Sequence, residues 1–279
     1  MFKGYTNAKS VLDVLLSKKL FVFDIDGTVS LDATPFSYAL DFIHNLRKSG
    51  RKVLFFTNNS SCSTEFYYGK LEKMGFAPQD GEILTSGDVT IDFLLRERKG
   101  KSVYLVGTPD LENCFEKHGI TLSEHSDIVV SSFDKTLTDE KVEKAAALIK
   151  NGAEFLATHY DMLCPVTDGV IPDCGTISEM ISEKADGAKA TVFGKPYLTA
   201  VEKVCSQTGI YNKDDIIIFG DALKTDIAMG RLHGMKTGLV MTGVTSLDDL
   251  EMLTDELYPD FTFHSLEEVN NAMFCEAII

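Results

Sequence analysis

The chain has 279 residues, 44% of them hydrophobic, and a formal net charge of −15. That length supports two domains, each with its own core. So acidic a surface repels nucleic-acid phosphates and anionic membranes, which argues against either as a partner, and any phosphorylated ligand would need a local positive site.

Six cysteines, Cys62, Cys114, Cys164, Cys174, Cys205 and Cys275, form no C-x-x-C pair and read as reduced thiols. Met1 to Lys19 is amphipathic and lacks the apolar core of a signal peptide, and no apolar run is long enough to span a bilayer. The expectation is a soluble cytoplasmic protein.

In chain order, Leu20–Phe23 reads as a buried strand uninterrupted by polar residues. A helix is predicted from about Pro35 to Lys48, a strand at Val53–Phe56 and a helix at Thr64–Met74, closed by Gly75. Three further strands, Val103–Val106, Ile128–Ser131 and Glu154–Ala157, alternate with helices such as Thr138–Lys150. Asp139 and Glu140 at its start and Lys150 at its end suit the helix dipole. The order then returns to strand Thr191–Phe193, helix Tyr197–Thr208, strand Ile216–Phe219, helix Leu223–His233, strand Thr237–Met241 and an edge strand at Asp260–Phe263. Repeated β-α alternation argues for parallel sheets with helices on both faces. We expect a split domain, 1–85 with 186–279, interrupted by an inserted α/β domain at 86–185.

Four motifs fall at the ends of predicted strands, where ligands bind in open parallel sheets. The first strand runs into Asp24, Asp26, Gly27 and Thr28. Two carboxylates beside an apolar strand are costly without a cation or proton, although taken alone an ordinary solvated Asp-Gly turn competes as an explanation. The second runs into Thr57, Asn58, Asn59 and Ser60, groups that suit a phosphate as well as a helix N-cap. Gly194, Lys195 and Pro196 set a lysine between a strand end and a helix start. The fourth strand ends in Gly220 and Asp221, with Thr225 and Asp226 close behind. Mg²⁺ usually takes one or two carboxylates, and Asp24 and Asp221 are candidates.

Together these motifs resemble, in order, the D-x-D-G-T, T-N-N, G-K-P and G-D-x-x-x-T-D signatures of the haloacid dehalogenase (HAD)-like hydrolases. Phe56 to Ser61, Leu84 to Gly87, Ala157 to His159 and Pro172 to Gly175 further resemble the class IIA, NagD-like or 4-nitrophenylphosphatase-like subfamily. That resemblance implies a Rossmann-like parallel-sheet core with an inserted α/β C2-type cap. It implies an Mg²⁺-dependent phosphatase acting on a small phosphorylated metabolite, such as a sugar phosphate or glycerol phosphate.

Roles carried over by resemblance make Asp24 the nucleophile and Asp26 the general acid and base. Mg²⁺ would be held by Asp24, the carbonyl of Asp26 and Asp221, with Asp226 close by. Thr57, Asn58 and Lys195 would hold the phosphoryl oxygens. His159, Asp161, Cys164 and Asp173, in a stretch read as a shaped loop from Thr158 to Gly175, would meet the leaving group. A structural histidine at a strand end is an equal reading of His159. The resemblance also allows a homodimer through the cap. Asp26 argues against a dehalogenase. A phosphomutase uses the same acidic pair, and a non-catalytic binding or regulatory protein with this fold is the alternative of a different class.

Overall fold

The computed structural model describes residues 8–275 apart from 32 and 167–168. The first part holds α1 (Ala8–Ser17), β1 (Leu20–Phe23), the short β2 (Ser30–Leu31) and β3 (Thr34–Pro35), α2 (Ser37–Lys48), β4 (Lys52–Thr57), α3 (Thr64–Lys73) and β5 (Ile83–Thr85). The middle holds α4 (Ser86–Glu97), β6 (Val103–Val106), α5 (Pro109–Lys117), β7 (Ile128–Ser131), α6 (Asp139–Lys150) and β8 (Glu154–Ala157). It continues with β9 (Leu163–Val166), β10 (Gly169–Pro172), α7 (Cys174–Lys184) and β11 (Thr191–Val192). The last part holds α8 (Leu198–Thr208), β12 (Ile216–Gly220), α9 (Ala228–His233), β13 (Lys236–Val240), α10 (Leu247–Glu251), β14 (Phe261–Phe263) and α11 (Leu266–Phe274).

The chain divides into two compact units. One comprises the described residues up to Thr57, then Tyr68–Leu84, and those from Val201 on; the other comprises Asn58–Tyr67 and Thr85–Ala200. The first unit is built on a six-stranded sheet in the order β14-β13-β12-β1-β4-β5. β1 pairs in parallel with both β4 and β12, and the ladder continues in parallel through β13 to β14. The second unit is built on a sheet in the order β11-β8-β7-β6, whose pairings are all parallel. Both sheets are flanked by helices, so the fold is α/β, with a Rossmann-like sheet in the first unit. Among the described residues no helix is long and apolar enough to cross a membrane.

Residue choice explains the layers. All four residues of β1 are buried, as expected for a central parallel strand covered on both faces. On one face Phe21 and Phe23 stack on Phe219 of β12, with ring centroids 6.2 and 5.5 Å apart, while Phe42 of α2 meets Phe23 edge-on at 5.8 Å. Phe42 belongs to the helical stripe Ala39, Phe42, Ile43 and Leu46, which turns one face of α2 inward. In the second unit Val106, Val129 and Phe155 pack with Val142 and Ala145 of α6 and Ile177 and Ile181 of α7. Thr138 caps α6 by accepting from the Lys141 N–H.

Two expectations need correction. The stretch read as a shaped loop from Thr158 to Gly175 contains an antiparallel hairpin, β9 with β10, and the start of α7. The helix predicted at Leu223–His233 opens as a π-helical turn over Leu223–Ile227 before α9 begins.

Candidate active site

In the first unit the ladder carries one residue past β1. The Asp24 N–H donates to the Phe219 carbonyl of β12 at 2.9 Å, which fixes Asp24 at the carboxyl end of the sheet. Asp221 follows the end of β12, and Asp226 lies in the π-helical turn. Asp24 is half-buried, while Asp221 and Asp226 are buried. Each offers a carboxylate oxygen, and the three oxygens lie within 4.8 Å of one another. Carboxylates gathered so closely out of water repel one another unless a cation or proton compensates them. The donors are all hard oxygens, so the residues present fit a hard divalent cation.

Asp221 is clamped rather than merely adjacent. Its Oδ2 accepts from the Val244 N–H at 2.7 Å, and the Thr245 hydroxyl donates to its carbonyl. Two glycines make room for the carboxylate. A Cβ at Gly27, whose φ is +83°, would stand 2.4 Å from Asp221 Oδ2, and one at Gly243 would stand 1.8 Å from it. The Thr242 hydroxyl ties these two loops together by donating to the Gly27 carbonyl at 2.6 Å. Sequence reading missed Gly243 and Val244. They lie just beyond β13, so the strand-end rule that found the other motifs would have found them too.

Asp26 sits on a tight turn in which the Ile25 carbonyl accepts from the N–H groups of Thr28, Val29 and Ser30. Its carboxylate pairs with Lys70 of α3, Nζ to Oδ1 at 3.0 Å. Lys70 carried no sequence signal, since most helical lysines are simply solvated. Thr57, the last residue of β4, is buried.

In the second unit Asn58 and Lys195 are joined. The Lys195 N–H donates to Asn58 Oδ1 at 2.8 Å, and Asn58 Nδ2 donates to the Lys195 carbonyl at 3.1 Å. The remaining Nδ2 hydrogen reaches Asp161 Oδ2 at 3.1 Å. Asn58 therefore spends its side chain on positioning Lys195 and Asp161. Lys195 is itself almost fully buried, at 2% exposure. Gly194 permits the grip, because its φ is +56° and a Cβ there would stand 2.8 Å from Asn58 Oδ1.

His159 is fully buried, with Nε2 against Asp173 Oδ1 at 2.9 Å and Nδ1 near the hydroxyls of Thr158 and Ser86, at 3.1 and 3.3 Å. Burial pushes its pKa down, but Cys174, Asp173 and Asp161 around it more than offset that and raise it to about 9. Asp173 also accepts from the Cys174 N–H at 2.6 Å and so caps α7. His159, Asp161 and Asp173 bring their ligand atoms within 4.8 Å of one another, and the raised pKa of His159 favours the charged imidazole between the two carboxylates. His159 and Asp173 thus face the inside of the unit. Asp161 and Cys164 are half-exposed, near the exposed Tyr160, Met162 and Leu163.

Residues 21–121 match the family described as haloacid dehalogenase-like hydrolase, and residues 192–269 match a HAD-hydrolase-like family. The chain belongs to the HAD-like hydrolases. Within them it falls in the NagD-like, 4-nitrophenylphosphatase-like subfamily. It is 31% identical over 252 residues to an acid sugar phosphatase of Staphylococcus aureus (strain USA300), covering 90% of this chain and 96% of that one. The structure of 4-nitrophenylphosphatase from Thermotoga maritima is 36% identical, covers 92% of this chain and 98% of its own, and superposes with a TM-score of 0.88. NagD from E. coli K-12 is 29% identical, with coverages of 90% and 98% and a TM-score of 0.82.

Proposed function

We propose that this chain is an Mg²⁺-dependent phosphatase that hydrolyses a small phosphate monoester through an aspartyl-phosphate on Asp24. The carrying observation is the group Asp24, Asp221 and Asp226, three carboxylates within 4.8 Å at the carboxyl end of a parallel sheet. The names of the similar proteins support a phosphatase, and those of the acid sugar phosphatases make sugar phosphates the first class to try.

In this reading an Asp24 oxygen attacks phosphorus, the bond from phosphorus to the leaving alcohol's oxygen breaks, and the alcohol's oxygen takes a proton from Asp26. Asp26 then takes a proton from water, whose oxygen attacks phosphorus. The bond to Asp24 breaks and inorganic phosphate leaves. Asp24, the Asp26 carbonyl and Asp221, with Asp226 close by, would hold Mg²⁺, whose positive charge would offset repulsion between carboxylate and phosphate. Lys195 supplies a second, fixed charge in a chain whose net charge is −15. Asn58 acts through Lys195, and the Thr57 hydroxyl is a phosphoryl donor.

Choice of leaving group rests with the inserted unit. Asp161 and Cys164 are the candidates for direct contact because they remain half-exposed, whereas His159 and Asp173 set the shape beneath them. A phosphate-release screen over sugar phosphates, glycerol phosphate, pyridoxal phosphate, nucleotides and 4-nitrophenyl phosphate tests the proposal. Release by the wild type with Mg²⁺ and none by Asp24→Asn is expected. Absence of release from every ester would sink it.

A further inference from the structure

We propose that Lys70 is a positioning residue that selects the working orientation of Asp26. The proposal rests on the reading of Asp26 as proton donor, and it assigns the residue that governs that group.

The backbone under Asp26 is already fixed. Beyond the three N–H groups converging on the Ile25 carbonyl, the Gly27 N–H donates to the Ser30 carbonyl at 2.7 Å, so the turn closes on both sides of Asp26. What remains free is the Asp26 side chain, which rotates among staggered wells. It is exposed enough to use them, with 46% of its side-chain surface accessible.

Lys70 removes that freedom. Its ammonium meets Asp26 Oδ1 at 3.0 Å and comes from a helix 44 residues away in sequence. The lysine is the better covered partner, at 21% side-chain exposure, so it is the anchor and the aspartate is the group being held. An exposed ion pair adds little to stability, so a stability role explains this contact poorly. A geometric role explains it well, because proton transfer requires the donor within hydrogen-bond reach of the leaving oxygen. The contact engages Oδ1 alone and so sets the direction of Oδ2.

The test compares Lys70→Met with wild type on 4-nitrophenyl phosphate and on glycerol phosphate, in single turnovers that follow alcohol release. A nitrophenol leaves with little protonation, whereas an alkyl alcohol needs the acid. Lys70→Met should slow glycerol release on the order of tenfold to a hundredfold, part of the 10²–10⁴-fold that a positioned proton carrier contributes. Nitrophenol release should change much less, and KM should hold. Lys70→Arg should restore most of the loss. In an Asp26→Asn background, Lys70→Met should add nothing further.

Equal losses on both esters, or a full additional loss in the Asp26→Asn background, would show that Lys70 does not act through Asp26. A raised KM with unchanged kcat would make Lys70 a substrate-binding residue and overturn the proposal. Failure of the underlying phosphatase reading looks different, since the wild type would then release no alcohol from either ester.

Discussion

Asn58 holds Lys195 by its backbone on both sides, accepting from its N–H at 2.8 Å and donating to its carbonyl at 3.1 Å. Two main-chain bonds to one side chain fix where the lysine leaves the chain. The ammonium of a long, flexible side chain is then aimed from a rigid base. Asn58→Ala should therefore reduce kcat/KM for all phosphate esters by a similar factor and weaken inhibition by inorganic phosphate. It should also destabilise the fold by about 1–3 kcal/mol, because buried polar groups lose their partner. Steady-state kinetics on two unlike esters, with urea unfolding, reads both effects.

Asp24→Asn should abolish turnover while leaving the fold intact. In the proposed mechanism the amide keeps the shape but loses the charge that would attack phosphorus and hold the cation. The check is phosphate release beside far-UV circular dichroism. Activity near the wild-type level would remove Asp24 as nucleophile.

Chelation should silence the wild type and added Mg²⁺ should restore it. Ca²⁺ should inhibit, because it accepts more ligands and can take both oxygens of Asp24, holding it away from in-line attack. A metal titration against 4-nitrophenyl phosphate tests this. Full activity after exhaustive chelation would refute the metal role.

Gly243→Ala should act on the same titration without altering any charge. Its Cβ would stand 1.8 Å from Asp221 Oδ2, so the carboxylate has to move. Apparent Mg²⁺ affinity should fall about 10- to 100-fold, the scale seen when groups supporting a metal ligand are lost. An unchanged metal requirement would show that Asp221 does not hold the ion.

His159 should make stability depend on pH on the alkaline side. Its folded pKa of about 9 lies above the ordinary 6.5. Its contribution is therefore complete below about pH 6.5 and is lost as pH rises through about 9. The loss should be on the order of a few kcal/mol, and His159→Gln should flatten it. Urea midpoints across that interval measure it. A midpoint that rises with pH in the wild type would contradict the assignment.

Legibility in the sequence followed burial. β1, β6, β7 and β8 were read to the residue because a parallel strand covered on both faces is an apolar run with an abrupt polar stop. β9 and β10 escaped because Pro165 and Pro172 signal turns, and because the exposure of Leu163, Val166 and Val170 sets this hairpin apart from the covered strands. In the candidate site, Asp24, Asp221 and Asp226 were legible as acids at or just beyond strand ends. The grip of Asn58 on Lys195 spans 137 residues, and that of Lys70 on Asp26 spans 44. Neither is local, so no pattern in sequence could carry it. The burial of His159 was equally hidden, since a strand-end histidine looks the same whether it faces solvent or core.

The ladder around β1 also sets a timetable. Its two partners are β4, which follows within one helix, and β12, which begins only at Ile216. A ribosome adding about 5–20 residues per second needs roughly 8–33 s between them. During that interval the faces of Phe21 and Phe23 that will meet Phe219 have no partner. The inserted stretch Thr85–Ala200 is by then complete and contains every strand of its own sheet. It can fold while the nascent chain waits. The expected order of birth is the inserted unit first, with the carboxylate group assembled last, when Asp221 and Asp226 emerge.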